Sequence, residues 1–106
     1  MMAINQWEQA EPGVKRKIHD PGKQMMVMEV AFEKGAKGSA HNHPHEQITY
    51  CIAGKLAFHV GGKEVVMKKG DSLHIPSNAV HGVTALEDSQ ILDIFTPLRE
   101  DLLDVN

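Results

Sequence analysis

Seven histidines occur in a chain of 106 residues, and three of them, His41, His43 and His45, fall within five positions. Imidazole nitrogens bind divalent metals at about 2.1 Å, so this cluster is the first place to look for chemistry. In an extended strand alternate side chains share a face, which sets His41 beside His43 with about 7 Å between their Cα atoms. His45 and Gln47 have the same parity, and spacing leaves either as the third ligand, the glutamine through its carbonyl oxygen. A ligand from another strand is also needed. His81 is the candidate, delivered by the turn Gly70-Asp71, a short strand, Pro76 and the bend Ser77-Asn78-Ala79. The other histidines carry less. His19 and His59 read as surface or satisfied core, and His74, between Leu73 and Ile75, is left open between pocket and exterior. Met25, Met26 and Met28 read as core filler rather than soft copper ligands. Cys51 reads as a buried small hydrophobe rather than a nucleophile.

Short strands must position these residues. Turn signals recur about every eight to twelve residues, with alternating apolar and polar residues between them, the pattern of an all-β sandwich or barrel. After Pro12-Gly13, the run Val14-Lys15-Arg16-Lys17-Ile18 is read with Val14 and Ile18 on one face and its bases on the other. Met25 to Phe32 reads as a mostly buried strand, and Glu33 to Ser39 as a loop. Gln47 to Ile52 is a β-branched strand ended by Ala53-Gly54. Lys55–Val60 and Lys63–Lys68, separated by Gly61-Gly62, form a hairpin with a two-residue primed turn. Ser72 to Pro76, Val80 to Leu86 and Gln90 to Thr96 complete the strands, and only Arg99 to Asp104 has the makings of a short helix. Eight or so strands in so short a chain imply a closed barrel or jelly roll, which leaves few exposed edges.

Composition narrows the function. Hydrophobic residues at 42% and charged residues at 24% are ordinary for a globular protein, and the length suits one domain spanning residues 1–106. Eleven Lys and Arg against fourteen Asp and Glu give a formal charge of -3, which argues against a nucleic-acid backbone as partner. The single cysteine excludes an internal disulfide and fits a reducing compartment. No apolar run approaches the ~20 residues that span a membrane, and Met1 to Glu8 lacks a signal pattern, so the expected location is the cytoplasm.

Gly38, His41, His43, Gln47 and Gly54 resemble the first cupin motif, and Gly70, Pro76, Asn78 and His81 resemble the second. The family pattern places six residues between its last ligand and the closing glycine. That count leads from Gln47 to Gly54 and favours Gln47 over His45. The resemblance thus implies a cupin jelly-roll barrel holding one divalent metal (Zn, Ni, Fe, Mn or Cu) on His41, His43, Gln47 and His81. Gln47 stands where the motif has glutamate. An amide oxygen brings no negative charge, so the ion keeps its full charge and acts more strongly on substrate oxygens. The set is also less like the 2-His-1-carboxylate centre of iron oxygenases.

A narrower resemblance, covering Trp7 to Leu102, is to the small cupins of pectin degradation (KdgF-type). Its carriers are Pro12 to Ile18, His41 to Gln47 and the tail Leu92 to Leu102. It implies an enzyme that opens unsaturated monouronates, the products of pectate and alginate lyases, into linear keto forms, and commonly a homodimer. It also implies that Asp93, Phe95 and Arg99 serve the reaction; by residue type and strand parity, Asp93 is expected to carry protons, Arg99 to hold the substrate carboxylate and Phe95 to wall the ring. Two other classes stay in view. One is a non-catalytic module that captures a small sugar acid, and the other is a different metal-dependent isomerase or oxygenase.

Overall fold

A computed structural model describes residues 3–103. Ten strands follow in order: β1 (Glu8–Glu11), β2 (Val14–Ile18), β3 (Met26–Phe32), β4 (Lys37–His41), β5 (Glu46–Ala53), β6 (Lys55–Val60), β7 (Lys63–Lys68), β8 (Ser72–Ile75), β9 (His81–Ala85) and β10 (Ser89–Thr96). They form two antiparallel sheets, ordered β1-β2-β3-β10-β5-β8 and β4-β9-β6-β7. The apolar core draws on both, with Met26, Met28, Phe32 and Phe95 from the first and Leu56, Phe58 and Met67 from the second. This is the expected jelly roll. Among the described residues no helix is long and apolar enough to cross a membrane.

Strand alternation decides what the interior contains. Along β10 the buried positions are Ser89, Ile91, Asp93 and Phe95, and along β5 they are Gln47, Thr49 and Cys51. Register sets Asp93 opposite Thr49 and Phe95 opposite Gln47. A small polar group is thereby built into an otherwise apolar sheet face. The hairpin forms as expected, with Gly61 and Gly62 at φ 55° and 84°, the positive values a primed turn requires. Gly54, at φ 87°, is demanded twice over, because a Cβ there would also overlap the Asp88 carbonyl and Ser89 Oγ.

Four expectations are corrected. Arg16 does not point away from Val14 and Ile18. The three share parity and face inward, while Lys15 alone of the bases is exposed. The Glu33–Ser39 loop is shorter than read, because Lys37–His41 pairs with β9. Met25 is exposed, while Met26 and Met28 fill the core as β3 alternates. Within the expected Arg99–Asp104 helix, the described residues 99–103 instead make a turn closed on the Arg99 carbonyl by the amides of Leu102 and Leu103. Asp104 itself lies outside the described residues.

Candidate metal centre

The register of β4 against β9 sets His41 directly opposite His81. His43 is not on the strand, which ends at His41; it sits in the connection to β5. The bend before β9 holds that connection. Asn78, at φ 65°, a left-handed conformation that Asn adopts readily, donates its backbone amide to the His43 carbonyl at 2.8 Å. Ser77 Oγ donates to the Pro44 carbonyl at 2.6 Å. The two motifs, far apart in sequence, are thus tied by one backbone hydrogen bond and one from the Ser77 hydroxyl. The ligand atoms of His41, His43 and His81 lie within 4.8 Å of one another.

Hydrogen bonding tests whether these side chains fit a metal. Each ring turns Nδ1 to a backbone carbonyl: His41 to Ser39 at 2.9 Å, His43 to His45 at 3.0 Å and His81 to Ala79 at 2.9 Å. A carbonyl can only accept, so each Nδ1 carries a proton, and the neutral form of such a ring has its lone pair on Nε2. Burial lowers the pKa of His43 and of His81, with neighbouring positive groups adding to the effect, which favours the neutral rings a metal would need. Gln47 is oriented in the same sense. Its Nε2 donates to Thr49 Oγ1 at 2.9 Å and to Asp93 Oδ1 at 3.0 Å, which turns Oε1 toward the histidines, 3.1 Å from His43 Nε2. Two lone pairs then face each other at that distance, an arrangement that a cation between them resolves. The donor set fits a divalent ion.

Asp93 is held close behind. Its Oδ1 accepts from Gln47 and, at 2.6 Å, from Thr49 Oγ1. Burial pushes its carboxyl up to about 6, against the pull of those two hydrogen bonds. Arg99 is buried as well, with its guanidinium carbon 5.1 Å from the Phe95 ring centroid. Its Nε and Nη2 donate to the two oxygens of Asp101 at 3.0 and 2.7 Å, and this guanidinium holds the Asp101 carboxyl below its ordinary value.

A cavity of about 330 Å³ is lined by His41, Gln47, His81, Asp93, Phe95 and Arg99. It lies at the small end of the ~300–1,000 Å³ range of small-molecule sites, which suits one sugar-sized ligand. His43 does not line this cavity, but its ring centroid lies 5.5 Å from that of His41 and 5.0 Å from that of His81. His45 stays out of the ligand set, since its Nε2 donates to the Leu98 carbonyl at 3.1 Å, while its own carbonyl orients His43. His74 faces outward to Glu46, and His19 pairs with Glu29. His59 is exposed, and Cys51 is fully buried, with its thiol pushed up by burial. Sequence reasoning missed Thr49, Asp101 and Arg16, the last of which also lines the cavity. Parity with Val14 and Ile18 was the available signal for Arg16.

Comparison with known proteins gives a consistent picture. The model of the cupin domain family matches residues 28–95. The chain is 39% identical over 99 residues, 92% of its own length and 90% of the other's, to the pectin degradation protein KdgF of Dickeya dadantii strain 3937. Among solved structures, KdgF from Halomonas sp. superposes with a TM-score of 0.88 at 37% identity, covering 92% of this chain and 91% of that one. An RmlC-like cupin from Shewanella frigidimarina NCIMB 400 gives 0.86 at 32% identity, with 92% and 87% covered.

Proposed function

The chain belongs to the cupin domain family, and from that premise we propose that it is a metal-dependent enzyme that linearises 4,5-unsaturated monouronates to keto-deoxyuronates. The observation that carries this reading is the pairing, in one sugar-sized cavity, of a buried carboxylate with a raised pKa and a buried arginine beside clustered imidazoles and an amide oxygen. Similarity to KdgF over nearly the whole chain supports it.

The substrate is a pyranose with a C4=C5 double bond, a carboxylate on C5 and a hemiacetal at C1. Asp93 takes the proton of the C1 hydroxyl. The C1–O5 bond then breaks, C1 becomes a carbonyl, and the electron pair passes through O5 to leave an enolate over C5 and C4. A proton returned to C4 leaves a ketone at C5, so the product is an isomer of the substrate. A carboxyl poised near 6 can hold and release that proton close to neutrality. Phe95 closes the wall beside the ring. When bound by His41, His43, His81 and Gln47, a divalent ion supplies Lewis-acid stabilisation of negative charge on substrate oxygens.

Arg99 holds the substrate carboxylate. Asp101 occupies its Nε–Nη2 edge, so the remaining end, formed by Nη1 and the second Nη2 hydrogen, is left for a bidentate grip. Asp101→Ala is expected to raise KM about tenfold, as for one lost charge-assisted contact, while kcat stays within threefold. Steady-state kinetics with metal content measured in parallel checks this, because simple misfolding would lower both kcat and bound metal.

The defining experiment follows the ultraviolet absorbance of an unsaturated monouronate, prepared by exhaustive lyase digestion of pectin. With metal-loaded protein the absorbance is expected to fall faster than the spontaneous rate. Chelation should abolish the acceleration and metal return should restore it. A decay unchanged by metal-loaded protein would withdraw the enzyme and favour a non-catalytic binder of sugar acids.

A further inference from the structure

Two arginines line the cavity, and their surroundings differ. Arg99 is neutralised by Asp101 along one edge. Arg16 enters from β2 on the inward face between Val14 and Ile18, which are 3% and 0% exposed, and its Nε is buried with no hydrogen-bond partner. The nearby acids do not obviously satisfy it. Glu11, on the same wall of the cavity, already accepts from the backbone amide and the hydroxyl of Ser39 at 3.1 and 2.5 Å. Glu8 stands opposite Arg16 in the ladder, yet its Oε2 is likewise buried without a partner. A buried N–H without an acceptor is strongly disfavoured, and this one belongs to a residue that opens onto a cavity sized for a ligand.

We propose that Arg16 is a ligand-binding residue that donates to hydroxyl oxygens of a sugar acid whose carboxylate is held by Arg99. The ligand is then fixed by two points of the cavity wall, one from β2 and one from the segment after β10. This rests on the proposed function for the identity of the ligand, and it adds the recognition of the hydroxylated end. A planar guanidinium presents several donors in a fixed fork, which a lysine ammonium on a flexible stem cannot reproduce.

D-galacturonate serves as a non-reacting probe, with its affinity for the metal-loaded protein measured by calorimetry. Native protein and Lys15→Ala, whose exposed side chain lies on the opposite face, are expected to bind it equally. Arg16→Gln is expected to bind about tenfold more weakly, the scale of one charged hydrogen bond, and Arg16→Lys to fall between. Melting temperatures of Arg16→Gln and Glu8→Gln identify the rival role. If both fall equally while galacturonate affinity is unchanged, Arg16 is a structural partner of Glu8 and the proposal is overturned. It is overturned too if native protein does not bind the probe. Arg16-dependent binding without accelerated loss of absorbance would sink the enzymatic reading and leave this contact standing. Accelerated loss with Arg16-independent affinity would do the reverse.

Discussion

Asp93→Asn is expected to lower kcat about 10²- to 10⁴-fold, the usual worth of a positioned acid–base group, with KM and bound metal near their native values. The substitution is close to isosteric. The amide oxygen of the asparagine can still accept from Gln47 Nε2 and Thr49 Oγ1, the two donors that Asp93 Oδ1 serves, so Gln47 keeps its orientation. What disappears is the capacity to take and return a proton. Stability moves the other way. Because burial raises the folded carboxyl to about 6 from 3.8, the unfolded chain ionises first as pH rises. The metal-free folded state therefore loses stability between those values and carries the full penalty above about 6. Asn has no such penalty, and the chelated variant should be more stable than chelated native protein at neutral pH by up to roughly 3 kcal/mol, with no gain near pH 3. Paired urea titrations at the two pH values, alongside kinetics, check both halves. Full activity in Asp93→Asn would remove it from the mechanism.

His81→Ala carries the second large effect. It removes one of three imidazoles whose rings lie 4.4 Å (to His41) and 5.0 Å (to His43) from that of His81. Loss even of a residue that merely orients a ligand typically weakens metal affinity 10- to 100-fold, so loss of the ligand itself should weaken it by about 100-fold or more. Turnover should fall to the spontaneous rate. Metal retained after gel filtration gives the first reading, and the rise in melting temperature on adding zinc gives the second. His45→Ala is the control. Its ring points to the Leu98 carbonyl, and truncation leaves in place the backbone carbonyl that orients His43, so bound metal should be unchanged.

The fold was legible wherever turns and alternation agreed. Gly61-Gly62 fixed a hairpin, and parity set Gln47 on the face of His41, where the structure buries it. β1 was invisible because Glu8–Glu11 has only Ala10 as an apolar residue and is held by its ladder to β2. β4 was half hidden because Lys37–His41 is almost wholly exposed and reads as loop. The histidines could be found by spacing, but the reason they converge could not. Extended geometry was expected to carry His43, whereas the turn at Asn78 holds it. Arg16 was lost because its charge outweighed its parity, although that inward position lines the cavity. The Arg99–Asp101 pair was out of reach for a different reason. It depends on a turn after β10 that no local pattern distinguishes from the start of a helix.

His41 and His81 come from the four-stranded sheet, Gln47 from the six-stranded sheet, and His43 from the connection between the two. No hairpin or contiguous segment contains the whole set. A nascent chain offers an ion at most neighbouring imidazoles, and the fourth donor arrives only after residues far downstream have docked. A metal bound by all four would therefore be captured only after folding. An ion held by this set would join the two layers in addition to their apolar contact and the hydrogen bonds between Ser39 and Glu11 and between Lys55 and Ser89, so its binding energy would also oppose their separation.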